Sequence, residues 1–166
     1  MKRKIVVPPK VAEAVKWHPK AQVVRNLSRF PTALTVVPVQ VPSGKGWDEV
    51  TLEDAGCLSR MTDHQIRNLL MLTYLDSPPE FCYRNLVAGL YLDSQVEVFT
   101  SAGIVDVMTQ NWVIEVKEAS SWKHALGQAL AYSVVTGREP AVALFGNIAP
   151  IAKDILKTQG VEIISL

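Results

Sequence analysis

The sequence predicts an α/β domain, a mixed β-sheet flanked by helices, preceded by an N-terminal extension. Residues 76–166 alternate between helical and extended periodicity in the order α-β-β-β-α-β-α-β. Two short connections, Ser101-Ala102-Gly103 and Gln110-Asn111, join consecutive strand-like runs as hairpins. Apolar residues make up 48% of the 166 and charged residues 20%, so a core can form and general disorder is excluded.

Residues 1–75 read as a basic arm followed by a small helical and strand extension. Prolines 8, 9, 19, 31, 38 and 42 break it up, and the apolar run Thr32 to Val41 is an expected strand interrupted by Pro38. Ser43-Gly44-Lys45-Gly46 reads as a loop; it lacks the full phosphate-loop motif, so nucleotide binding is not expected. Thr51-Leu52-Glu53-Asp54 and Thr62-Asp63-His64-Gln65 both have the form of helix starts. The second has the capping-box spacing, and Ile66, Leu69, Leu70 and Thr73 come after it on one helical face.

The core is expected to begin with a helix capped by Ser77, with Pro78 and Pro79 in its first turn and Glu80 three residues after the cap, ending near Leu92. Strands are expected next over 95–100, 104–109 and 112–117. A helix over about 120–135 stops at Thr136-Gly137. Then come a strand over 140–145, a helix over 150–158 closed by Gly160, and a strand over 161–166.

Several classes drop out on composition. No apolar stretch reaches the ~18 residues that cross a bilayer. The basic residues 2–4 lead only to a short apolar stretch, broken by Pro8, Pro9 and Lys10, which leaves no signal-peptide core. Cys57 and Cys82 make neither a disulfide scaffold nor a C-x-x-C metal motif, so a reducing, cytoplasmic setting is expected. Charge is uneven. Residues 1–30 hold Lys2, Arg3, Lys4, Lys10, Lys16, Lys20, Arg25 and Arg29 against Glu13 alone, whereas the rest holds nine bases against fifteen acids. A basic arm on an acidic body points to a polyanion, so these eight residues and Lys123 are candidate nucleic-acid contacts.

The chemistry concentrates in the second hairpin. With Gln110-Asn111 as a two-residue loop, positions whose numbers sum to 221 face each other, which sets Asp106 opposite Glu115. Cross-strand Cβ atoms lie roughly 5 Å apart. Two carboxylates there repel by about 3 kcal/mol at an effective dielectric near 20. A divalent cation reverses that sign, because Mg²⁺ takes one or two carboxylates and completes its shell with water and phosphate. Lys117, two residues on, shares the face and can neutralise charge growing on a phosphate, while Trp112, Ile114 and Val116 point to the core. His124 lacks zinc-spaced partners and reads as a surface or backbone-contacting residue, Tyr132 sits one turn after Gln128, and Arg84 sits one turn after Glu80, its expected ion-pair partner.

Gly103-x-x-Asp106, Glu115-Val116-Lys117, Gln128 within Trp122–Gln128, and Tyr132 in this element order resemble the PD-(D/E)XK, or restriction-endonuclease-like, nucleases, across about residues 78–145. Val105 stands where the family has proline. The resemblance implies a restriction-endonuclease-like core with Asp106 and Glu115 as ligands of Mg²⁺ (or Mn²⁺) and the Val116 carbonyl as a third. Lys117 would be the catalytic lysine and Gln128 a site or backbone contact, and Glu80 an acid serving a second metal. It further implies hydrolysis of phosphodiesters, chiefly in double-stranded DNA. A core of this size needs a homodimer, a higher oligomer or partner proteins to recognise a site. The competing expectations are a subunit of a mobile-element or defence system, a stand-alone homing or restriction enzyme, and a nucleic-acid-binding module without cleavage.

Overall fold

The computed structural model describes residues 2–17, 23, 46–53 and 57–166, which divide into units at 1–82 and 83–166. The expected strand at Thr32–Val41, most of the Ser43–Gly46 loop, and Lys20, Arg25 and Arg29 lie outside the described residues.

In the N-terminal unit, strand β1 (Lys2–Val7) pairs antiparallel with β2 (Asp48–Glu53), in a register that sets Lys2 opposite Glu53 and Ile5 opposite Val50. Alternation explains both strands: Ile5, Val7, Val50 and Leu52 are buried, and the charged residues between them face outward. Two expectations are corrected here. Residues 2–17 are not a free arm, because β1 runs into helix α1 (Pro9–Trp17) and its bases are engaged. Lys2 pairs with Glu53 at 3.1 Å, Lys4 with Glu49 at 2.8 Å, and Arg3 with Asp63. Thr51–Glu53 is strand rather than a helix start, because the period-two burial of Val50 and Leu52 against β1 outweighs the local Thr-x-x-Asp pattern.

A 3₁₀ turn (Cys57–Arg60) precedes helix α2 (Asp63–Tyr74). Its capping box forms as expected: Thr62 N–H donates to Gln65 Oε1 at 2.6 Å and Gln65 N–H to Thr62 Oγ1 at 3.2 Å. Ile66, Leu69 and Leu70 pack on Ile5, Val7 and Val11. Buried Arg67 donates to the Val6 carbonyl, lies 3.0 Å from His64 Nδ1, and stacks over Trp47. The division between units falls within helix α3 (Glu80–Ala88). This helix is shorter than expected at both ends, and Leu92, its expected end, is exposed in a turn. The Cys82 N–H bonds to the Pro79 carbonyl, and Ser94 Oγ donates to the Ala88 carbonyl at the helix's far end.

The C-terminal unit is built on a five-stranded mixed sheet in the order β3-β4-β5-β6-β7, formed by Gln95–Thr100, Gly103–Met108, Trp112–Glu118, Glu139–Phe145 and Glu162–Ser165. The first three are antiparallel and the last two join in parallel, through helices α4 (Trp122–Thr136) and α5 (Pro150–Thr158). Val107, Ile114, Val116, Ala141 and Ala143 meet Val87 and Ala88 on one face. On the other, Val142 and Leu144 meet Ala125, Ala129 and Leu156. Gly137, in the left-handed region, ends α4. Gly103 has φ +135, which calls for glycine, and a Cβ there would also sit tightly against Tyr132 Oη at 3.1 Å. No described helix is long and apolar enough to cross a membrane.

Candidate active site

The hairpin turn behaves as its sequence suggests. Thr109 N–H bonds to the Trp112 carbonyl at 2.9 Å, and Thr109 Oγ1 accepts from the N–H groups of Asn111 and Trp112. The pairs Val107–Ile114 and Met108–Val113 fix the register that sets Asp106 opposite Glu115. Past them the backbone ladder gives way to a side chain, as Asp106 Oδ2 accepts the Val116 N–H at 2.9 Å. Asp106 is thereby anchored to the strand that carries Glu115 and Lys117.

Glu115 is 1% exposed and Asp106 8% exposed, both far below what an unpaired carboxylate tolerates. Lys117 Nζ lies 3.2 Å from Glu115 Oε1 and 3.7 Å from Asp106 Oδ2. Burial first, and the Asp106 charge second, push the Glu115 carboxyl up to about 8 against the opposing pull of Lys117. Glu115 Oε2 is buried without a hydrogen-bond partner. Gln128, on α4, donates from Nε2 to Tyr132 Oη at 3.2 Å and leaves Oε1 buried and unpartnered. Tyr132 therefore buttresses Gln128 and also closes on Gly103.

Arg84 corrects a sequence expectation. Its guanidinium reaches strands β3 and β4, pairing with Glu97 at 3.0 Å and Asp106 Oδ1 at 3.5 Å, while Nε is buried without a partner. Glu97 was visible as a strand residue but not as part of the site. The register of β3 and β4, with Val96 opposite Val107 and Val98 opposite Val105, sets it across from Asp106. The Ser101–Gly103 turn carries that signal. Among described non-glycine residues Glu97 alone has a positive φ, +53, a conformation that costs a side chain roughly 1–2 kcal/mol.

Lys123 is exposed over the Trp122 ring, His124 is exposed, and Lys10 and Lys16 lie on α1. Glu80 is the first residue of α3 and belongs to the N-terminal unit. Among the described residues no third carboxylate, histidine or cysteine joins Asp106 and Glu115 in a metal-binding group. The two acids with their orphaned oxygen still fit one small, hard cation, which needs no more than one or two carboxylates.

Fold and site together define a mixed α/β protein with a lysine-bridged carboxylate pair on adjacent strands. No family model matches the chain, and no solved structure matches it. It is similar to three proteins of Acanthamoeba polyphaga mimivirus. It is 38% identical over 81 residues to putative KilA-N domain-containing protein L32, covering 45% of this chain and 22% of that protein. It is also 41% identical over 39 residues to R878 and 45% identical over 40 residues to L33, covering 24% of this chain in each case. These too are putative KilA-N domain-containing proteins. The chain spans about a fifth of the length of L32, 11% of R878 and 16% of L33.

Proposed function

We propose that this chain acts on DNA and that its C-terminal unit is a divalent-metal-dependent phosphodiester hydrolase with a restriction-endonuclease-like core. The observation that carries this reading is the buried carboxylate pair, with Glu115 Oε2 unpartnered and Lys117 Nζ between the two acids. Such a cluster is costly to a fold unless it serves a ligand. Asp106 and Glu115, with the Val116 carbonyl, would hold Mg²⁺ or Mn²⁺. The ion, when bound, supplies Lewis-acid polarisation of the scissile phosphate.

The chain's own groups do the rest. Val116 N–H holds the Asp106 carboxylate in orientation. Lys117 presents an ammonium to the phosphate and to the oxygen of the attacking water, where it stabilises the negative charge left as that water gives its proton to solvent. Gln128 offers its free Oε1 as an acceptor that orients that water. Recognition of a site would come from a second copy or from partner proteins.

The relatives favour a second reading. Their names carry the KilA-N domain, a DNA-binding domain family, which suits a DNA-binding module without cleavage. One experiment separates the two: nicking of supercoiled plasmid by the purified protein with Mg²⁺ or Mn²⁺, beside Lys117→Ala and an EDTA control. The nuclease reading expects metal-dependent nicking that falls at least about a hundredfold in the variant. Plasmid binding without nicking, equal in both proteins, supports the binding module.

A further inference from the structure

Arg84 and Glu97 have no place in the hydrolytic scheme, yet both are built into the site at a cost. Arg84 is mostly buried with one guanidinium nitrogen unpartnered. Glu97 holds a backbone conformation that side chains avoid and directs its carboxylate onto Arg84 at 3.0 Å. Strain of this kind persists only where the surroundings over-determine it, and it gathers at functional sites. The order of charges is Glu97, Arg84, Asp106, Lys117, Glu115, each within 3.7 Å of the next.

We propose that Glu97 and Arg84 are a positioning pair for Asp106, an inference that rests on the cation-site reading above. Arg84 Nη1 fixes Asp106 Oδ1 from outside the catalytic hairpin while the Val116 N–H fixes Oδ2 from within it, so both carboxylate oxygens are directed. A guanidinium 3.5 Å from a ligand oxygen also competes with an incoming cation for it. Glu97 offsets that competition by drawing the Arg84 charge toward itself. Arg84 thus sets orientation at the expense of affinity, and Glu97 restores the affinity. Guanidinium geometry matters here, since one planar fork spans two carboxylates on two strands and a lysine cannot.

The two residues therefore have opposite effects, which loss of packing would not produce. Mn²⁺ titration calorimetry and plasmid nicking on wild type, Arg84→Met, Arg84→Lys and Glu97→Gln read them. Glu97→Gln should weaken Mn²⁺ binding, with little change in melting temperature. Arg84→Met should bind Mn²⁺ at least as tightly as wild type yet nick about tenfold more slowly, the size expected for an outer-shell partner. Arg84→Lys should recover less than half of that rate. Affinity and rate falling together in Arg84→Met, or variants matching wild type, would overturn the inference and leave the nuclease reading standing. Wild type that binds no Mn²⁺ would overturn both.

Discussion

The two units handle charge in opposite ways. Among the described residues of the N-terminal unit, the bases of β1 and the buried Arg67 meet complements. Lys2, Arg3 and Lys4 pair with acids at the surface, and buried Arg67 is met by a carbonyl, an imidazole nitrogen and an indole face. The C-terminal unit buries two carboxylates side by side, shares one lysine between them, and leaves polar atoms of Glu115, Gln128 and Arg84 unmatched. A unit selected for stability alone would resemble the first. Under the proposed cation-site reading, the mismatch in the second is where stability is given up for a ligand.

The largest break in that contrast comes from pH. Folding raises Glu115 from its ordinary 4.5 to about 8, so the folded state binds more protons than the unfolded one between those values. The stability it contributes is complete below about 4.5 and is lost as pH rises through about 8. Without divalent ions, stability should therefore fall across this window, by up to about 1.4 kcal/mol per pH unit for a one-proton difference. Urea unfolding from pH 5 to 8 checks it. Glu115→Gln should flatten the slope, and a wild-type profile with no fall would refute the assignment.

A smaller effect belongs to the N-terminal unit. Thr62→Ala removes half of the capping box and should cost about 1 kcal/mol. Melting of the full chain should register it while Mn²⁺ affinity stays at the wild-type value. A change in affinity would mean that the two units do not divide the work as their charges suggest.

Legibility in the sequence divides along the same line. The β3–β7 sheet is legible because its punctuation is local: Ser101–Gly103, Gln110-Asn111, Gly137 and Gly160 sit within a residue or two of element ends. The hairpin loop alone suffices to oppose Asp106 and Glu115. Strands β1 and β2 are not legible, because forty residues separate them and Lys2 and Lys4 find their acids only once paired. Helical spacing pairs Arg84 with the acid one turn away. Its actual partners lie on two strands, and no local pattern connects a helix residue to those.

The central claim is that Asp106 and Glu115 form a cation site, and Mn²⁺ calorimetry on wild type beside Asp106→Ala tests it most directly. One binding event per chain, abolished in the variant, is the predicted result. Wild type with no heat of binding, or a variant that binds equally well, would contradict it.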